Sequence, residues 1–437
     1  MALTELAFTA IVTTDVIMMG RLGSTSLAAG TLAAQYFWVF EFLERGILSA
    51  LAPIIAQHLG TRRFRRVRGT VRQGFWVAVL VAIPCGLMVW NTNAIFVLLG
   101  QDPVVAEMSQ AYLRFMLIAL IPSLWHGVLG DFLAAHERPR AVLVICIIGI
   151  AINALANYAF MFGHFGAPAI GLAGAGVAGA IVMIFMFLAT LGFVLTDRRL
   201  KRYHLLGHFW RLDWPQLRNI ITVGTPIAMM DTGKLGSILV GYFLMGLVGI
   251  DAPAAFGVTV QCVEVLLIAP IGLIQAASVR VGLAAGAENP QATSRAGLVS
   301  ISLGFGFALL SAVVLVFFGE LLVGIYFDTA VAENDAAITM AVSLLVFGAL
   351  FLIIDSVHTI TQGALMGLTD TQVPMLLSLG SYAVSLPAAA YFGVYLGYSG
   401  QAIWLSLAFP LGVLALLFIQ RFRFKSRDLA WLEGTLE

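Results

Sequence analysis

Residues 15–46, DVIMMGRLGSTSLAAGTLAAQYFWVFEFLERG, align without a gap on residues 241–272, GYFLMGLVGIDAPAAFGVTVQCVEVLLIAPIG. At this shift of 226, Met19 meets Met245, Gly20 meets Gly246 and Gly23 meets Gly249. Gln35 meets Gln261 and Gly46 meets Gly272, and beyond the quoted stretches Gly60 meets Gly286. A later block, shifted by 233, pairs Gly130 with Gly363 and Tyr158 with Tyr391. A period this long marks a duplicated domain rather than a solenoid.

Each copy is built from long apolar blocks. The 437 residues are 60% hydrophobic and 11% charged, with mean hydropathy +0.96. Soluble chains carry about 25% charged residues. A spanning helix needs about 20 apolar residues. Twelve windows meet that need, near 2–20, 27–58, 70–91, 110–133, 140–162, 170–196, 216–247, 253–284, 296–319, 336–366, 372–396 and 399–420. A barrel would show short alternating strands instead. The expected fold is an all-α membrane protein of two pseudo-symmetric six-helix lobes. Six crossings per copy keep both copies in one orientation, so the repeats are parallel, about an axis along the membrane normal. Such bundles hold substrate between halves, and the expected shape is a V around a central cavity. The expected lobes are 1–196 and 216–421, with a basic linker at 197–215 and a tail at 422–437. Asp231 aligns with Glu5, so residues 216–226, which open the seventh span, have counterparts before Met1. The first span is therefore expected to be short at its start by about two or three turns.

The net charge of +1 excludes no partner, but its distribution is informative. Arg62, Arg63, Arg65, Arg66, Arg68 and Arg72 follow the second span. Arg138 and Arg140 follow the fourth, and Arg198, Arg199, Lys201, Arg202, Arg211 and Arg218 surround the linker. Arg295 follows the eighth span, and Arg421, Arg423, Lys425 and Arg427 follow the twelfth. The opposite loops carry Arg21 and acids such as Asp102, Glu320, Asp328 and Glu333. The positive-inside rule places both termini in the cytoplasm. These arginines read as a topology signal, not as a nucleic-acid surface. Cys85, Cys146 and Cys262 fall inside spans, odd in number and without metal spacing. No cleavable signal peptide is evident.

Seven carboxylates lie inside apolar windows: Glu5, Asp15, Glu41, Glu44, Asp231, Glu264 and Asp355. A charge at the bilayer centre costs about 2.5–3.5 kcal/mol on insertion scales, so such groups are paired or functional. Glu41 has Arg45 four residues on, in the favourable order. Asp231 has Lys234 three residues on, a local pair that would compete with ion binding. Asp15 has no cation within a turn on either side, and Asp355 has only His358. Asn153 and Asn157 share a helix face. They serve either as helix–helix glue or as amide oxygens in one polar pocket with Asp15. Gln35 and Gln261 divide in the same way between glue and cavity lining. Tyr36, Phe37, Trp38 and Met229 sit beside polar positions, where aromatic faces and thioethers would suit flat cations. Ser356 and His358 next to Asp355 do not make a hydrolase, because adjacent helical residues point apart. No GxSxG, HExxH or Walker A motif occurs. The chain is not expected to be an enzyme.

Six stretches resemble the MATE (multidrug and toxic compound extrusion) family, most closely its NorM-type branch. They are TDVIMMGRLGSTSLAA (14–29), APIIAQHLGTRRFRRVRG (52–69), AINALANYAFMFGHFGAPAIGLAGAGVA (151–178), VGTPIAMMD (223–231), ASVRVGLAAGAEN (277–289) and QGALMGLTDTQVP (362–374). They cover nearly the whole chain in the family's order. The resemblance implies secondary active efflux of organic, mostly cationic, amphipathic compounds in exchange for Na⁺ or H⁺, by a rocker switch. It implies cation-coupling roles for Asp15, Asn153, Asn157, Asp231 and Asp355. Na⁺ would sit at Asp15 or at Asp231/Asp355, and no other metal and no cofactor is expected. Gln35, Tyr36, Phe37, Trp38, Met229, Gln261, Glu264 and His358 are expected to line the substrate cavity. Asp231 departs from the family, which commonly has a glutamate there. The expected partners are small amphipathic drugs or dyes and the lipid bilayer, with no nucleic acid. The expected state is a monomer, multi-pass in the bacterial plasma (inner) membrane. Two rivals differ. A lipid-linked oligosaccharide flippase of the same superfamily needs a more cationic cavity than Arg45 and Lys234 supply. A passive channel or structural membrane protein needs no paired acids.

Overall fold

A computed structural model describes residues 2–205, 207, 209–249, 252–327, 335–427 and 429. Asp328, Glu333, the side chain of Glu5 and most of the expected tail lie outside the described residues. The first copy contains α1 (Ala2–Gly20), α2 (Ser24–Leu48), α3 (Leu51–Gly60), α4 (Phe64–Trp90), α5 (Thr92–Leu98), α6 (Pro103–Ala135), α7 (Pro139–Phe162) and α8 (Leu172–Thr196). The second contains α9 (Trp214–Val248), α10 (Ala252–Gly286), α11 (Pro290–Phe317), α12 (Gly319–Val323), α13 (Asp335–Gly367), α14 (Gln372–Ala388) and α15 (Ser399–Lys425). A π-turn, Ala389–Tyr395, extends α14.

In lipid every backbone polar group must be satisfied within its own segment, which leaves helices as the spanning form. Ten described helices are long and apolar enough to cross a bilayer. Two further crossings are α1, whose apolar run is only Leu6–Gly20, and α2 continued by α3. Gln35, Glu41, Glu44 and Arg45 lower the hydropathy of α2. The expected single span 27–58 is thus two helices, parted at Ser49–Ala50. The chain is a multi-pass membrane protein with twelve crossings among its described residues.

Turn chemistry repeats along with the helices. The connections after α3 and α10 each place one residue in the left-handed region, Arg62 (φ 57) and Glu288 (φ 54). Those after α6 and α13 do the same at Glu137 (φ 59) and Thr369 (φ 57). The following amide reaches back five residues in every case: Arg63 to His58 (2.9 Å), Asn289 to Ala284 (3.2 Å), Arg138 to Leu133 (2.9 Å) and Asp370 to Leu365 (3.1 Å). These are Schellman endings, normally made with glycine. A side chain there costs about 1–2 kcal/mol. Prolines open the next helices at Pro139 and Pro290, where a missing N–H costs nothing.

Packing divides the chain into two compact units, residues 3–228 and 229–437. The seam lies inside α9, not in the segment before it. Glycines explain this. A Cβ on Gly46 of α2 would lie 2.7 Å from the Ala228 Cα, and a methyl group on Gly224 would overlap the Ile47 carbonyl. α9 therefore lies against α2 at Gly224 and Ala228. Within the first unit, Ile11 of α1, Ala119 of α6, Cys146 of α7 and Met186 of α8 share one apolar core. In the second, Ala277, Ile301 and Ile360 join α10, α11 and α13. The three cysteines are buried and form no disulfide among the described residues.

The segment after α8 is anchored by His136, at the end of α6. Its Nδ1 donates to the Phe132 carbonyl (2.8 Å), and its Nε2 accepts from the Tyr203 hydroxyl (2.9 Å). Only the neutral ring can do both. Burial, opposed by the Phe132 bond and reinforced by Arg202 and Arg138, holds the imidazole below its ordinary pKa. The unfolded ring takes a proton first as pH falls below about 6.5. The contribution is therefore complete above that pH and lost as pH falls through the folded value. The protection factors of the amides across 197–205, corrected for the intrinsic exchange rate, are expected to fall on acidification below about pH 6.5. Tyr203→Phe should raise exchange at neutral pH by the equivalent of about 1 kcal/mol and flatten the pH dependence.

Candidate functional site

Asp15 sits on α1, opposite α7. Spacing of four puts Asn153 and Asn157 on one face of α7, and both amides turn to the carboxylate. Asn153 Nδ2 donates to Asp15 Oδ1 at 2.9 Å and Asn157 Nδ2 donates to the same oxygen at 2.6 Å. Asn157 Nδ2 also lies 3.3 Å from Asn153 Oδ1. Both asparagines are fully buried, while Asp15 is half-buried. Asn157 Oδ1 is buried without a hydrogen-bond partner. An orphan acceptor of this kind calls for an explanation. Here it lies beside a carboxylate that no Lys or Arg contacts among the described residues.

A cavity of about 50 Å³ opens next to Asp15, lined also by Thr31, Phe37, Trp38, Glu41 and Tyr112. It suits an ion or a few waters. Drug sites measure about 300–1,000 Å³, so this one is too small for drug. Glu41 is held by Arg45 at 3.2 Å, the expected local pair.

The second unit solves the same problem differently. Asp355 on α13 is fully buried, and Lys234 Nζ of α9 meets its Oδ2 at 2.7 Å. Thr359 Oγ1 donates to Oδ1 at 3.3 Å. This corrects two expectations from sequence. Lys234 does not serve its helical neighbour Asp231, and Asp355 is not left with His358 alone. His358 Nδ1 stands 4.0 Å from Asp355 Oδ1, beyond hydrogen-bond range. Asp231 instead accepts from Gln362 Nε2 at 3.4 Å. The pairing 231 with 362 and 234 with 355 is an antiparallel register between α9 and α13. Asp355, Thr359 and Gln362 lie at i, i+4 and i+7, a one-face pattern visible in sequence. Sequence reasoning stopped at contacts within one helix and so missed Gln362 and Thr359.

The remaining candidates scatter. Gln35, Gln261 and Glu264 are exposed on their helices, as is Met229, which is 41% exposed. Tyr36 packs on Phe40 and Phe96, and its hydroxyl donates to the Met88 carbonyl at 3.3 Å. His358 is buried with its ring 5.1 Å from that of Phe418.

The MatE family pattern matches residues 1–159 and 226–391, one stretch in each copy. The chain belongs to the MATE family. A probable multidrug resistance protein NorM of Mesorhizobium japonicum is 39% identical over 430 residues, covering 98% of this chain and 92% of its own. The Brucella suis protein of the same description is 38% identical over 96% of this chain and 90% of its own. A MATE crystal structure in the bent conformation superposes with TM-score 0.87 at 17% identity, covering 99% of this chain and 94% of its own. A eukaryotic MATE transporter superposes with TM-score 0.81 at 20% identity, covering 98% and 95%. At such identities the structures speak for the MATE fold alone.

The Lys234–Asp355 pair yields a stability test in this MATE chain. Removing one partner of a buried pair costs about 3–5 kcal/mol, because the other charge is left uncompensated. Lys234 keeps 29% side-chain exposure, which favours the lower end. Lys234→Met is expected to lower the unfolding temperature of the solubilised protein. Adding Asp355→Asn should restore most of that loss, since the stranded charge disappears with it.

Proposed function

We propose that this chain is a secondary active multidrug efflux antiporter. It exports organic, mostly cationic, amphipathic compounds in exchange for Na⁺ or H⁺. The observation that carries this reading is the Asp15–Asn153–Asn157 cluster beside an ion-sized cavity. Two amide donors stabilise the anion and leave it available. The orphan Asn157 oxygen offers a second ligand to Na⁺, or an acceptor for the proton of a neutral Asp15. The NorM relatives, described as probable multidrug resistance proteins, support the substrate class.

In this mechanism cation uptake at Asp15 favours one arrangement of the lobes, and drug binds the other more tightly. The coupling ion can shift the equilibrium only by its differential affinity for the two arrangements. Reversing a 1:99 population needs about 5.5 kcal/mol of such preference. Placing a carboxylate without a counter-charge in lipid-depth surroundings supplies energy of this order, because its neutralisation removes a desolvation cost. Asp355, already neutralised by Lys234, acts as a fixed ion pair, and Asp231 is the second unit's open carboxylate. Gln35, Tyr36, Phe37, Trp38, Met229, Gln261, Glu264 and His358 remain the proposed drug contacts. The positions of the arginines support both termini in the cytoplasm of a bacterial inner membrane, and the proposed carrier is a monomer that needs no cofactor.

Asp15→Asn is expected to abolish drug efflux in cells while leaving insertion and drug binding to the purified protein intact. Asparagine keeps the size and cannot take up a proton or neutralise Na⁺. Wild-type efflux by this variant would make the carboxylate structural. Drug-dependent proton release compared with Na⁺-dependent transport in proteoliposomes identifies the ion, and counterflow of labelled drug distinguishes a carrier from a channel.

A further inference from the structure

Three hydrogen bonds strap the segment after α8 onto α4. Arg72 Nη1 donates to the Gly207 carbonyl (3.4 Å), Trp76 Nε1 to Phe209 (3.1 Å) and Gln73 Nε2 to Arg211 (3.2 Å). The Phe209 ring is packed among Trp76, Phe75 and Trp125, with centroids 5.8, 5.9 and 6.4 Å away. The strap brings Arg211 alongside Arg68 and Arg72 of α4. Together with Asp213, Trp214 and the start of α9 they line a cleft of about 590 Å³. Three guanidinium groups thus share one cleft with a single acid. That acid faces Arg72 electrostatically and also accepts from the Gln216 amide at 3.4 Å, capping α9, so one carboxylate serves three cations. Arg68 also borders a neighbouring hollow of about 240 Å³ with Phe64, Arg65, Arg202 and Tyr203.

This arrangement is costly if it only reports topology. Arg65, Arg66 and Arg68 occupy the opening turns of α4, at the positive end of the helix dipole, where cations are disfavoured. Orientation would be served equally by arginines anywhere in the loop. An anion in the cleft reverses the balance. The rim says where the anion comes from. Trp210 and Trp214 are 81% and 65% exposed, and exposed indoles at the ends of spanning helices lie at headgroup level.

We propose that the cleft formed by Arg68, Arg72 and Arg211 binds the phosphate headgroup of an anionic phospholipid in the leaflet on the linker side. The strap that shapes the cleft is itself held by Arg72, so lipid binding and docking of the strap reinforce each other. The site stands on its own geometry and does not rest on the transport reading.

The test uses the full chain, purified and titrated with phosphatidylglycerol or phosphatidylcholine, with retained lipid counted by native mass spectrometry. Arg68→Gln combined with Arg211→Gln spares the strap, because the Arg211 contact uses its backbone carbonyl. Arg198→Gln combined with Arg199→Gln removes the same charge from exposed positions outside both hollows. The proposal expects selective retention of phosphatidylglycerol, reduced by about tenfold or more in the first pair and little changed in the second. Equal loss in both pairs would mean diffuse attraction and overturn it. Retention unaffected by the first pair, or no preference for phosphatidylglycerol over phosphatidylcholine, would also overturn it. Displacement of the lipid by inorganic phosphate at comparable concentration would reassign the cleft to free phosphate.

Discussion

A carboxylate at membrane depth has to be compensated from within the protein, since neither water nor counterions are freely available there. The two lobes meet this demand with opposite solutions. In the first, two asparagine amides converge on one oxygen of Asp15, which spreads the charge without cancelling it. In the second, Lys234 cancels the charge of Asp355 outright. Hydrogen bonding keeps a group responsive to ions, whereas an ion pair fixes it. The duplicated fold has therefore become asymmetric in its electrostatics while staying symmetric in its backbone.

Backbone symmetry is preserved even where it is unfavourable. The Schellman endings at Arg62, Glu137, Glu288 and Thr369 each hold a non-glycine residue in the left-handed region. Glycine would relieve the strain at all four. These turns link successive helices through connections of three or four residues, which keeps neighbouring crossings close together.

The helical class, the twelve crossings and the duplication were legible in the sequence because they depend on composition and period. So was the neighbourhood of Asp15, since spacing of four on α7 and a shared family pattern pointed to the same residues. Contacts between helices were less legible. Lys234 lies three residues from Asp231 and 121 from Asp355, yet the distant partner wins. Periodicity tells which face a side chain is on and not which helix that face meets. The break at Ser49–Ala50 inside an otherwise apolar run was also invisible, because nothing in composition marks it. The docking of residues 207–211 on α4 escaped for another reason. It uses backbone carbonyls as acceptors, and these leave no trace in residue identity.

The seam inside α9 bears on how a duplicated gene becomes one machine. Between Phe209 and Ala228 the chain is fastened to the first unit, by the strap and then by close packing on Gly46. The boundary between the two packing units falls within continuous helix α9. Pro226 lies two residues before the seam and lacks the amide that would bond one turn back. The helix that crosses the boundary between the two packing units therefore has one hydrogen bond missing just before that boundary.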